Sequence, residues 1–239
     1  MLVQKSALPQ IRFKLLFNAG SAHDPAGKEG LANLTAMMVA SAGSMDRKSD
    51  EITKALFPMA GTFSEQIDKE MTTFTGSIHK DNWDNYLDIA MPMLLTPGFH
   101  DDDFRRLEGF AQERARDRPQ GQQRRGIRQG TPANQCLRLS TPYGHPVLGT
   151  AKGVDAITLD DVKDFYKKAY TQGAVKVGIS GDVSDKMVAS LKTALAKLLY
   201  RCKLACHHGS GRQKGEWPRH RDHREKHARP PFPSACRSA

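Results

Sequence analysis

Gly30-Leu31-Ala32-Asn33-Leu34-Thr35-Ala36-Met37-Met38 is the stretch on which the reading of this 239-residue chain turns. Leu31, Leu34, Met37, Met38 and Val39 recur at helical spacing, so the segment reads as a helix whose apolar stripe belongs to a core. Upstream, Leu8–Ala19 alternates apolar and polar residues as a half-buried strand does, and Asp24 to Gly30 form the turn that leads into the helix.

Downstream, Ser49–Ala60 reads as a second helix, capped by Ser49 or Asp50 and closed by Gly61. Phe63–Ile67 and Met71–His79 read as strands, the second with Thr-rich alternation. Asp81–Leu95 is an amphipathic helix stopped by Thr96-Pro97-Gly98. Asp101, Asp102 and Asp103 then place three carboxylates at the start of a helix running to Asp117, where the helix dipole favours them. Thr158–Tyr170 is a helix with Thr158 as its cap, Ala174–Ser180 a strand, and Ser184–Leu199 a last helix. Strands and helices mix without strict βαβ alternation, which indicates an α+β fold.

The net charge of +10 is unevenly spread. Residues 1–117 hold 13 Lys+Arg against 17 Asp+Glu, and residues 140–200 hold 8 against 6. Residues 118–139 hold 5 basic residues and no acidic one, while residues 201–239 hold 10 against 3. The whole excess, and all four cysteines (Cys136, Cys202, Cys206, Cys236), fall in these two short stretches, which argues against a nucleic-acid surface on the fold itself. A basic tail that binds nucleic acid or an anionic surface is the alternative for 201–239.

Both stretches also lose hydrophobic periodicity. Gly121, Gly126, Gly130 and Pro132 would break a helix over Arg118–Ser140. Shifted by one nucleotide, one allowed codon choice for Gln122–Cys136 encodes an acidic, helix-forming peptide. The expectation is a compensated frame error near 118–140 and an uncompensated one near residue 200. The His and Cys residues of the tail, from Cys202 to Cys236, have a spacing that fits no closed zinc site. At this length the chain has room for one core, expected over residues 1–200 with a disordered tail over 201–239.

The sequence has no apolar run long enough to span a membrane, no Gly-x-Ser-x-Gly nucleophile motif and no phosphate-binding glycine loop. Met1–Ala7 is too short and too polar for a signal peptide. His79 and His100 read as surface residues at element ends, and His145 lies in a loop, Pro142-Tyr143-Gly144-His145-Pro146.

Gly30-Leu31-Ala32, the Met that follows, the turn Asp24 to Gly30, and the Tyr-Gly-His-Pro loop together resemble the insulinase/pitrilysin family of metallopeptidases, in this order over about Leu8 to Leu199. That family carries an inverted His-x-x-Glu-His motif on this helix. On a helix, residues i and i+4 share a face, so two His there grip one Zn²⁺ while the Glu at i+3 activates the bound water. Here the three positions read Asn33, Ala36 and Met37. An amide binds zinc poorly, alanine cannot act as a base, and a thioether is a soft ligand better suited to Cu(I).

By resemblance, Glu113 is the remnant of the family's third ligand position, and no metal is expected to bind although zinc is the family's cofactor. The resemblance implies a mostly antiparallel sheet backed by helices, lacking the family's first strand. It also implies a non-catalytic subunit paired with a catalytically active insulinase-family subunit, the pair enclosing a chamber for unfolded peptides. The strand Met71–His79, through Met71, Thr73, Thr75 and Ser77, is the candidate for pairing with an extended substrate. Bacterial relatives imply a periplasmic or secreted location. The alternative is an active zinc endopeptidase with altered ligands, which needs Glu113 and two further donors.

Overall fold

The structure is a computed structural model that describes residues 1–6, 8–116 and 142–198. The chain order of these residues is β1 (Leu2–Lys5), β2 (Gln10–Phe17), α1 (Leu31–Ser41), α2 (Ser49–Leu56), β3 (Thr62–Ile67), β4 (Thr72–His79), α3 (Trp83–Leu95) and α4 (Asp101–Arg116). After residue 141 come α5 (Ala151–Asp155), α6 (Leu159–Ala169), β5 (Val175–Gly181) and α7 (Asp185–Leu195). One sheet has the strand order β1-β5-β2-β4-β3. The β2–β4, β2–β5 and β3–β4 pairs are antiparallel and only β1–β5 is parallel, so the mostly antiparallel α+β layer implied by the sequence is the fold.

Alternation in β2 builds the core. Ile11, Phe13, Leu15 and Phe17 all turn to one face and are fully buried, while Gln10, Arg12 and Lys14 stay exposed. The register sets these four opposite Ile78, Gly76, Phe74 and Thr72 of β4. Helices cover this inner face through an aromatic layer. The Phe13 ring meets Trp83 and Tyr86 of α3, each at 6.0 Å, and Phe17 and Phe74 meet Tyr170 at 5.0 and 5.4 Å. Offset and edge contacts of this kind add to area burial. The Tyr86 hydroxyl donates to the Thr62 carbonyl at 2.7 Å, and the Tyr166 hydroxyl to that of Leu94 at 2.6 Å, so the rings are pinned at both ends.

Gly76 is required by this packing: a Cβ there would lie 2.3 Å from the Phe13 ring and 2.6 Å from the Tyr86 hydroxyl. Gly76→Ala is therefore expected to cost about 2 kcal/mol by overpacking, measured by urea denaturation; an unchanged midpoint would contradict this packing.

Three details differ from the sequence expectation. Leu2–Lys5 form an edge strand although nothing before Leu8 reads as one; its residues are all exposed, so it has no alternation to read. The cap of α2 is Lys48, in extended backbone, whose N–H is accepted by the Glu51 carboxylate at 3.3 Å, rather than Ser49 or Asp50. That helix ends at Leu56 and passes into a tight turn, Phe57–Met59, closed by left-handed Ala60. The cap of α6 is as expected: Thr158 Oγ1 accepts from Asp161 N–H, and Asp161 accepts from Thr158 N–H at 2.9 Å. The expectations for 118–140 and 201–239 lie outside the described residues.

Candidate functional site

Helix α1 is buried on every side: all ten residues Leu31–Ala40 are in the core. Such a helix cannot carry polar catalytic groups unless something partners them. Asn33 is 5% exposed, Ala36 0% and Met37 3%, so the three motif positions are packed within the core. The Asn33 side-chain N–H₂ is buried without a hydrogen-bond partner among the described residues, a donor where a metal would need an acceptor. Glu113, on α4, is exposed. An amide, a methyl group and a thioether do not make the donor set of a catalytic zinc, which takes three protein ligands and a water. Among the described residues, no cluster of three His, Cys, Asp or Glu is placed to hold a metal ion.

The start of α1 is held by a group that the sequence did not disclose. Asp24 sits seven residues before the first residue of the helix, yet its carboxylate accepts from the backbone N–H groups of Gly30 and Ala32, both at 2.8 Å. It thus does the work of an N-cap from a distance, with its charge at the positive end of the helix dipole. The loop Pro142–Thr150 closes over it. His145 Nδ1 lies 4.0 Å from the Asp24 carboxylate, and Lys69 donates to the His145 carbonyl. The Tyr143 hydroxyl donates to Glu70 at 2.7 Å.

Gly149 makes this docking possible, since its φ is +84° and a Cβ there would lie 2.3 Å from the Glu29 carbonyl oxygen. Burial pushes the Asp24 carboxyl up to about 6, against the lowering effect of the two backbone hydrogen bonds and of His145 and Lys69. Nearby, hydrogen bonds from Lys28 and Thr158 hold Asp161 down at about 2. Asp24 and His145 thus meet at the junction of the loop with the start of α1. His79 is exposed and accepts from Asp81 N–H at 3.4 Å, and exposed His100 precedes α4, as the sequence suggests for both.

The expected pairing strand is corrected by the topology. The segment Met71–His79 contains β4, which lies between β2 and β3, with both of its edges already hydrogen-bonded. Thr73, Thr75 and Ser77 point instead to the face of the sheet away from the core, and Met71 lies in the turn before the strand. The edge on this side of the sheet is β3; among the described residues no strand pairs with its outer side. Beside it opens a cleft of about 550 Å³, lined by Gly61, Thr62 and Phe63 of the β3 end, by Ser41 and Ile52, and by Arg106 of α4.

The model of the insulinase family, peptidase family M16, matches residues 1–126. A zinc protease of Rickettsia felis is 22% identical over 192 residues, which cover 79% of this chain and 45% of that protein. The chain thus spans about half the length of the curated relative it matches. Its fold is similar to the crystal structure of a peptidase M16 inactive domain from Pseudomonas fluorescens, with a TM-score of 0.69 and 24% identity over 84% of this chain and 50% of that one. It is also similar to the periplasmic protease PqqL from Escherichia coli, with a TM-score of 0.70 and 16% identity over 84% of this chain and 23% of that one.

Proposed function

Since this chain belongs to the insulinase family of peptidases, family M16, we propose that it is a non-catalytic member that forms the wall of a peptide-processing chamber beside an active subunit. The observation that carries this reading is the content of α1: Asn33, Ala36 and Met37 stand in the core, without a base or a zinc donor set. Zinc belongs to the family, as the matched protease indicates, and a catalytic zinc would be supplied by the partner. An active enzyme with altered ligands would need two donors besides exposed Glu113. A periplasmic location is supported by the likeness to a periplasmic protease. No described helix is long and apolar enough to cross a membrane.

The peptide-binding element of this proposal is the free side of β3, because an unpaired strand edge offers main-chain N–H and C=O groups to an extended chain. The cleft at its start gives room for side chains of that peptide. The test is backbone hydrogen exchange with and without an extended, uncharged peptide. Protection is expected in Thr62–Ile67; binding that leaves this strand unprotected would overturn the assignment.

A further inference from the structure

The sheet face turned away from the helices carries a one-sided charge. Strand alternation and register place Arg12 and Lys14 of β2 and Lys176 of β5 outward on this face, and all three are exposed. Arg12 and Lys14 are two residues apart on one strand, about 7 Å. Lys176 sits opposite Leu16, which makes it a diagonal neighbour of Lys14, within about 8 Å. Thr73, Thr75 and Ser77 flank the cations as hydroxyl donors, set opposite Leu16, Lys14 and Arg12.

No Asp or Glu occupies an outward position on these strands among the described residues; Glu65 of β3 faces inward, opposite Phe74. Arg12, Lys14 and Lys176 have no ion pair with any described residue, so no described carboxylate neutralises this face. Residues 1–117 hold more acidic than basic residues, so this basic face runs against the balance of the segment that forms most of it. Like charges set side by side on a sheet repel one another, and an anion bound across them relieves that repulsion.

We propose that this face binds acidic peptides, the carboxylates of Asp and Glu side chains meeting Arg12, Lys14 and Lys176 while the neighbouring hydroxyls complete their hydrogen bonding. The occupant is an extended polypeptide rather than a single ion, because the cations lie in a row across two strands and the flanking donors continue onto β4. This rests on the chamber-wall reading and adds a selectivity to it: acidic peptides are drawn to this wall and basic ones repelled.

The test uses the full chain and three labelled peptides of equal length, one rich in Asp and Glu, one uncharged and one rich in Lys and Arg. Binding is followed by fluorescence anisotropy at low and at raised salt. Tightest binding is expected for the acidic peptide, weakened by salt, and the triple variant Arg12→Gln, Lys14→Gln, Lys176→Gln should lose about tenfold in affinity for it. The same variant should leave binding of the uncharged peptide unchanged. These side chains are exposed, and an unchanged thermal melt verifies the fold; should the triple variant not fold, Lys14→Glu alone must still weaken the acidic peptide. If the acidic peptide binds variant and parent equally, its site is elsewhere, the basic residues of 201–239 included, and the proposal is overturned. If the uncharged peptide binds and the acidic one binds no better, the selectivity fails while the chamber-wall reading stands. If no peptide binds, both fail.

Discussion

Ala36→Glu is expected to destabilise the fold by roughly 3–5 kcal/mol at neutral pH, the cost of an uncompensated charge in a protein interior. In an active relative this position would hold the base, partnered by a metal-bound water; here Ala36 is fully buried, and neither Asn33, one turn before it, nor Met37, next to it, offers a cation. The glutamate would stand on a helix whose residues Leu31–Ala40 are all buried, with no charged side chain among them. Its carboxyl would be raised in the folded state above the value near 4.3 that it has in the unfolded chain. The sign follows from linkage. The variant keeps most of its stability below the unfolded value and loses it as pH rises through the folded one, so the deficit against the parent is largest at neutral pH and shrinks in acid. Urea denaturation across pH measures this. A variant as stable as the parent at neutral pH would mean that a solvated cavity lies beside Ala36, contrary to its full burial.

Asp24→Ala is expected to cost about 3 kcal/mol near pH 5, because it strands two buried N–H groups at the start of α1. The loss should be smaller at neutral pH. The folded Asp24 carboxyl is raised to about 6 from 3.8, so the stability it contributes is fully present below the lower value and is lost as pH rises through the upper one. The difference in stability between the parent and Asp24→Asn, followed from about pH 7 to about pH 4, isolates this group from other carboxylates such as Asp161, whose depressed value acts in the opposite direction. A flat difference across that window would show that Asp24 is ionised at no cost, and that hydrogen bonds rather than burial govern it.

What the sequence revealed and what it hid follow the range of the interactions. The alternation of Ile11, Phe13, Leu15 and Phe17 and the box of Thr158 with Asp161 are local patterns, and both are present as read. The place of β4 inside the sheet is not local: it depends on pairing with β2 across some sixty residues of chain, and Thr73, Thr75 and Ser77 would show the same alternation at an edge or in the middle. The cap of α1 has no local signature, because the usual one is a side chain at the cap itself. Here glycine stands at that position and the carboxylate comes from Asp24, in a turn that brings it back. That Asn33, Ala36 and Met37 offer no zinc donor set is read from residue chemistry alone. That these positions are buried on all sides is not, for a helix with an apolar stripe leaves open what lies against its other faces.

By the proposal above, this member of the peptidase family carries no chemistry of its own. Elemental analysis of the purified full chain, after exchange into zinc-containing and then zinc-free buffer, together with hydrolysis of a mixture of unstructured peptides, tests it most directly. The expected result is substoichiometric zinc and no hydrolysis by the chain alone. One zinc per chain, with hydrolysis that a chelator stops and added zinc restores, would contradict it.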